Sequence, residues 1–197
     1  FIAFEGTPDL PIGDRAWAGF TEVEGCTEFL LIKLDSAAPK PIEGPEYYAP
    51  LVAEQSPVFE TVARDDDETA VILYTSGTTG QPKGAELMHR NLRANAGLGP
   101  SLFGADADDP DTYLAVLPLF HIFGQSVIQN TALMFGGTIV YLPRFEPDAA
   151  LGLLLKERIT FFAGVPTMYW GLLQALAASD GSIDVAAIAE HLRVAAC

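Results

Sequence analysis

The chain has 197 residues, 49% of them hydrophobic and 19% charged, a composition that supports a buried core and excludes a disordered polymer. Its formal charge of −15 repels nucleic-acid backbones and anionic membrane surfaces at long range, which excludes polyanion binding as a property of the whole surface. Cys26 and Cys197 stand far apart with no C-x-x-C spacing and no ligand cluster, so they read as reduced, structural thiols of a cytoplasmic protein, and no metal-ligand set is visible.

The chain opens on Phe1 without a basic segment ahead of an apolar run, so no secretory leader is expected. Residues 1–4 and 28–34 read as strands, and the Pro-, Gly- and Tyr-rich stretch 39–57 reads as a long connector. No chemistry is visible there, and residues 1–60 are set apart as a partial segment from an α/β unit over 61–197. From residue 69 the pattern alternates: strand 69–75, a glycine-rich loop, helix 89–97, strand 112–118, helix 122–135, strand 138–142, helix 147–158, strand 159–163, helix 166–178, short helix 184–190 and strand 192–196. That order predicts an α/β fold with a mainly parallel sheet flanked by helices.

Local signals support several of these boundaries. Pro147 and Pro166 suit a first helical turn, where the missing N–H costs nothing, and Asp148 complements the helix dipole. Ala150, Leu151, Leu154, Leu155 and Arg158 share the spacing of one helical face, as do Met168, Tyr169, Leu172, Leu173 and Leu176. The acidic run 106–111 reads as a solvated break before the next strand. His89 and His191 have no partner pattern and read as structural or exposed. Stretches 112–143 and 159–179 carry no Asp, Glu, Lys or Arg and are long enough to cross a bilayer. Yet Pro118, Gly124, Gln125, Asn130, Gly136 and Gly137 punctuate the first, and Gly164 and Pro166 the second. A parallel sheet buried on both faces gives the same uncharged runs, so no integral membrane segment is expected.

The most informative stretch is Tyr74-Thr75-Ser76-Gly77-Thr78-Thr79-Gly80-Gln81-Pro82-Lys83-Gly84, which follows an apolar strand. Gly77, Gly80 and Gly84 let the backbone turn its N–H groups into one concavity, Thr75, Ser76, Thr78 and Thr79 add short donors, and Lys83 adds a cation. This is the composition of a phosphate grip. Pro82 stands where a Walker A loop needs its second glycine and Gly84 where it needs Ser or Thr; nor does the string read G-x-G-x-x-G. A flexible ammonium at Lys83 can follow the oxygens of a nucleotide phosphate. Downstream, Phe120, Phe123, Gly164, Val165, Thr167 and Met168 lie at or near strand ends, where they can line an apolar tunnel or pack the core.

The string YTSGTTGQPKG resembles the signature of the adenylate-forming superfamily, which embraces acyl-CoA synthetases, coumarate-CoA ligases, luciferases and the adenylation domains of peptide synthetases. Leu117-Pro118-Leu119-Phe120-His121-Ile122-Phe123-Gly124-Gln125 resembles the family's next motif in its fatty-acyl-CoA ligase form. Gly164-Val165-Pro166-Thr167-Met168-Tyr169 resembles the strand-to-helix turn that follows. The resemblance covers about residues 58–197 and implies part of the large N-terminal domain of such an enzyme.

What it implies chemically is a two-step ligation. A carboxylate attacks the α-phosphorus of ATP, and coenzyme A then displaces AMP, with Mg²⁺ accompanying the nucleotide. The resemblance places His121 beside the carboxylate to be activated, in a positioning role, since that acid is already ionised at neutral pH. It places Phe123, Gly124, Gly164, Val165 and Pro166 against the substrate. The form of the second motif favours a fatty acid; a coumarate-like acid, a carrier-loading adenylation domain and a non-catalytic ATP-binding module are the alternatives. The chain departs from the family in two ways. Met88 stands where relatives carry the Ser or Thr that caps the next helix, a loss worth about 1 kcal/mol. Also absent are the adenine-binding turn, the Tyr-Gly-x-Thr-Glu motif, the ribose-binding aspartate, the hinge and the C-terminal domain with its lysine. The chain therefore reads as an internal fragment, inactive alone, whose cut sheet edges invite a homodimer.

Overall fold

A computed structural model describes residues 1–7, 9–33, 43–77 and 80–197, and the chain falls into two compact units, 1–62 and 63–197. In the first unit β1 (Ile2–Phe4), β2 (Leu30–Ile32) and β3 (Glu46–Tyr47) form a parallel sheet in that order, with α1 (Ile12–Phe20) crossing between β1 and β2 and α2 (Tyr48–Ala53) following β3. The strands expected over 1–4 and 28–34 are present as β1 and β2, Leu34 itself lying outside the described residues. Stretch 39–57 departs from the connector expected of it: 39–42 lie outside the described residues, and the remainder supplies β3 and α2. Helix α1 was not legible because Gly13 and Gly19 dilute a nine-residue pattern. Packing requires the first of them, since a Cβ at Gly13 would lie 2.9 Å from Leu31 Cδ1. Trp17 and Phe20 then close over Phe29 at ring separations of 5.1 and 5.2 Å.

The second unit begins with an antiparallel hairpin. Strand β4 (Thr69–Thr75) pairs with β5 (Lys83–Met88), setting Thr75 opposite Lys83 and Tyr74 opposite Gly84. This corrects the expectation that strand 69–75 would join the parallel sheet and that its loop would run straight to a helix. Strand β5 reads Lys-Gly-Ala-Glu-Leu-Met, a run with no clear period of its own; the cross-strand ladder decides it. Helices α3 (His89–Ala96) and α4 (Gly99–Phe103) follow.

The parallel sheet runs β7-β6-β8-β9, from β6 (Thr112–Ala115), β7 (Thr138–Tyr141), β8 (Phe161–Ala163) and β9 (Val194–Ala196). A π-helix (Phe123–Asn130) and α5 (Thr131–Met134) connect β6 to β7. Then α6 (Pro147–Lys156) connects β7 to β8, and α7 (Pro166–Ala178) with α8 (Val185–Ala189) connects β8 to β9. Alternate residues of one strand enter opposite cores. Tyr113, Ala115, Phe161 and Ala163 pack with Ile128 and Ala132, whereas Leu114 and Phe162 pack with Leu151, Leu154, Leu172 and Ile188. A sheet covered on both faces accounts for the two uncharged stretches. Among the described residues no helix is long and apolar enough to cross a membrane.

Three expectations are revised by packing. The segment 122–135 is not one α-helix but the π-helix followed by a single α-turn, and a Cβ at Gly124 would lie 2.4 Å from the Pro118 carbonyl oxygen. The backbone of the π-helix thus presses on the preceding turn, which only glycine allows. On α6 and α7 the buried faces are narrower than their spacing suggests: Leu155 and Leu173 are exposed, and Arg158 lies past the helix end at φ +50°. Last, the acidic run 106–111 is not wholly solvated, because Asp111 is only 6% exposed. Its carboxylate accepts hydrogen bonds from Thr160 Oγ1 at 2.6 Å and Arg193 Nε at 3.2 Å, and forms an ion pair with the Arg193 guanidinium, which also donates to the Phe103 carbonyl. This cluster ties the amino ends of β6, β8 and β9 to the end of α4. Burial, with the Asp111 charge adding to it, pushes the neighbouring Tyr113 phenol up to about 12.

Candidate functional site

The glycine-rich stretch joins β4 to β5, and two of its described residues, Gly77 at +63° and Gly80 at +80°, have the positive φ that favours glycine. A Cβ at Gly77 would sit 2.3 Å from the Gln81 carbonyl oxygen, so both dihedral and space demand glycine. Thr75 Oγ1 donates to the Lys83 carbonyl at 3.5 Å across the mouth of the loop. Ser76 and Lys83 are exposed, and Lys83 forms no ion pair among the described residues; Thr78 and Thr79 lie outside those residues. A lysine ammonium at the edge of a turn with two left-handed glycines is suited to a multiply charged oxyanion.

The base of the hairpin is stapled to α3. The Asp65–Glu68 turn is closed by a Glu68 N–H bond to the Asp65 carbonyl at 3.1 Å and an Asp67 N–H bond to Asp65 Oδ1 at 2.8 Å. His89 N–H then donates to the Glu68 carbonyl at 3.1 Å and Arg90 N–H to the Asp66 carbonyl at 3.0 Å. Arg90 pairs with Asp67 and Arg93 with Asp66. These bonds explain how α3 starts at His89 without a capping hydroxyl on Met88. The turn carbonyls satisfy helix donors that a cap would otherwise serve, and Asn91 Oδ1 accepts the Met88 N–H at 2.9 Å.

The other half of the site lies beyond the carboxyl ends of β6, β8 and β9, where open parallel sheets place their ligands. There His121, Phe123, Gly164, Val165 and Pro166, together with Phe120 and Cys197, line an apolar cavity of about 290 Å³. Gly124 does not line it, being held against the Pro118 carbonyl, and Thr167 and Met168 do not either. Nor do the described residues among 75–84: most of the substrate-facing candidates share one cavity, and the described loop residues stay on the hairpin.

His121 is the polar member of that lining. Its backbone N–H donates to the Pro118 carbonyl at 3.1 Å, its carbonyl accepts the Gln125 N–H at 3.1 Å, and its Nδ1 accepts the Phe123 N–H at 3.2 Å. Because Nδ1 accepts, the neutral ring carries its hydrogen on Nε2, the tautomer that can donate to an incoming anion. Beside the lining residues Gly164 and Cys197 stands a residue without a functional signal in the sequence. Tyr169 Oη donates to the Ala196 carbonyl at 2.7 Å, the same oxygen that accepts the Gly164 N–H at 3.0 Å. Burial foremost, and then negative charge at Cys197, raise that phenol above its ordinary range. A tyrosine inside an apolar helical face is the available signal, since its hydroxyl requires a partner once buried. Among the described residues no three His, Cys, Asp or Glu side chains gather as a metal site.

The sequence matches the AMP-binding enzyme family over residues 21–197. It is 33% identical over 128 residues to a long-chain-fatty-acid–CoA ligase of Bacillus subtilis (strain 168), covering 64% of this chain and 23% of the relative. It is 35% identical over 159 residues to a feruloyl-CoA synthase of Amycolatopsis sp., covering 73% and 31%, and 30% identical over 189 residues to a 3-methylmercaptopropionyl-CoA ligase of Ruegeria pomeroyi, covering 93% and 34%. Among solved structures, ATP-bound MatB from Rhodopseudomonas palustris superposes with a TM-score of 0.74 at 30% identity, over 98% of this chain and 34% of that one. The chain thus spans about a quarter to a third of the length of these relatives.

Proposed function

The chain belongs to the AMP-binding enzyme family, among the acyl- and aryl-CoA ligases of the adenylate-forming superfamily, and on that premise we propose that its parent protein activates a long- or medium-chain fatty acid with ATP and transfers it to coenzyme A. In the first step a carboxylate oxygen attacks the α-phosphorus of ATP in line, the bond to the β-phosphate oxygen breaks, and pyrophosphate leaves. In the second the sulfur of coenzyme A, its proton lost to solvent or base, attacks the acyl carbon, and the bond to AMP breaks to give the thioester.

The residues divide this work. Thr75, Ser76, Gly77, Thr78, Thr79 and Gly80 hold the phosphates through backbone N–H and hydroxyl donors, and Lys83 stabilises charge on the leaving pyrophosphate. His121 donates from Nε2 to the carboxylate and aims it, and Phe123, Gly164, Val165 and Pro166 receive the acyl chain, with Gly124 keeping the turn beneath them tight. Mg²⁺ accompanies the nucleotide in this reading; the described residues offer it no cluster of ligands, so no step is assigned to it. A cytoplasmic setting suits ATP and coenzyme A as co-substrates.

The observation that carries this reading is the apolar cavity of about 290 Å³ with a histidine in its lining whose Nδ1 accepts a backbone N–H, at the carboxyl ends of the sheet. Its apolar walls favour a hydrocarbon tail. An aryl acid is the second reading, because Phe120 and Phe123 offer two ring faces to the same space and the relatives include a feruloyl-CoA synthase. ATP–pyrophosphate exchange by the intact parent with palmitate, decanoate, ferulate and coumarate separates them: the first two should support exchange well above the others. Lys83→Ala should reduce exchange about 100-fold or more. Undiminished exchange in that variant rejects the phosphate role of the loop, and preference for ferulate rejects the fatty-acid assignment.

A further inference from the structure

We propose that α3 is a strut that registers the loop-bearing hairpin against the segment bearing His121, and that Asn95 is the positioning residue at its far end. The inference rests on the roles given above to Lys83 and His121. One end of α3 is fixed to the hairpin base by the His89 and Arg90 backbone bonds and by the Arg90–Asp67 and Arg93–Asp66 pairs. At the other end Asn95 Oδ1 accepts a hydrogen bond of 2.6 Å from Ser126 Oγ, and Ser126 is 1% exposed within the π-helix. That same π-helix begins at Phe123, whose N–H holds the His121 ring by Nδ1. A continuous set of bonds therefore runs from the Asp65–Glu68 turn, along one rigid helix of about 12 Å, to the imidazole.

The reaction gives this geometry a purpose. In-line attack requires the carboxylate oxygen and the α-phosphorus to meet at about 3–3.5 Å, and one partner is held by the hairpin while the other is aimed by His121. Neither half binds less well if the strut slips; what is lost is their mutual position. The bond is also difficult to replace. The buried Ser126 hydroxyl has Asn95 as its acceptor, and the neighbouring Ser126 carbonyl is occupied by Thr131 Oγ1 at 3.2 Å.

The test uses the intact parent enzyme, with active sites titrated and ATP–pyrophosphate exchange as the assay. Asn95→Ala should lower kcat about tenfold while KM for ATP and KM for the acid each stay within about twofold. Asn95→Asp keeps an acceptor for Ser126 and should restore kcat to near the parental value, and Ser126→Ala, which removes the donor instead, should reproduce the Asn95→Ala split. Because Asn95 is exposed, its truncation removes a hydrogen bond rather than a packed core side chain. Parental kcat per active site in Asn95→Ala, a rise in KM at constant kcat, or an Asn95→Asp variant as slow as the alanine variant each overturns the proposal. Lys83→Ala is measured alongside. If it is inactive while Asn95→Ala is fully active, the strut alone is wrong; if it is fully active, the phosphate reading fails and the strut falls with it.

Discussion

The hairpin and the parallel sheet of the second unit hold their functional residues by different physics. In the sheet, β6 and β8 are buried on both faces and the cavity residues sit where those strands end, so position there is a by-product of core packing. In the hairpin, Ile72 is 53% and Tyr74 76% exposed, Gly77 and Gly80 have positive φ, and the turn at its base is tied to α3 by ion pairs and backbone bonds. A substitution in the buried strands should therefore cost stability first, and one at the hairpin tip should leave stability nearly unchanged.

The two regions should differ most at Gly77. Gly77→Ala places a Cβ against a backbone oxygen in a left-handed turn, so exchange by the intact enzyme should fall about 100-fold with the melting temperature nearly unchanged. A large fall in melting temperature would show that the hairpin is part of the core after all. Next comes Arg193→Ala, which leaves the buried Asp111 carboxylate with Thr160 as its remaining side-chain partner. Denaturant unfolding should show a loss of about 3 kcal/mol, at the low end for a buried pair because the Arg193 side chain is 42% exposed. A loss below about 1 kcal/mol would place the cluster in the class of surface pairs.

The smallest effect is a pH dependence. Tyr113 has its pKa raised from 10.0 to about 12 by burial, so the folded state favours the neutral phenol. That contribution is complete below pH 10, the unfolded value, and is lost as pH rises toward about 12. Tyr113→Phe has no proton to lose. The stability difference between the two proteins should therefore shift in favour of the phenylalanine variant as pH rises through that window, and a difference independent of pH would mean that the phenol is solvated.

How much was legible depended on whether a residue's neighbours in sequence are also its neighbours in space. Strand Thr69–Thr75 and helix Pro166–Ala178 match their expected spans, the first because β-branched and apolar residues follow an acidic turn, the second because Pro166 opens a long apolar helix. Strand β5 was not legible, since Lys83-Gly84-Ala85-Glu86 shows no period until β4 is laid beside it. In sequence Asp111 is indistinguishable from the acidic run it ends, because the arginine it pairs with lies 82 residues away. The Asn95–Ser126 bond, 31 residues in span, had no local signal either.

What the amino-acid order determined by itself is residue chemistry and local conformation: a turn rich in glycine and hydroxyls with one lysine is suited to presenting donors, and prolines at 147 and 166 fit the first turns of the helices that begin there. What only the tertiary structure decided is where those pieces face. That the loop tips a hairpin rather than a sheet strand, and that the helix after it has both ends tied down, are outcomes of contacts between distant residues, whereas the His121 ring is held locally by the Phe123 N–H. Such contacts form between residues whose separation along the chain leaves no periodic trace.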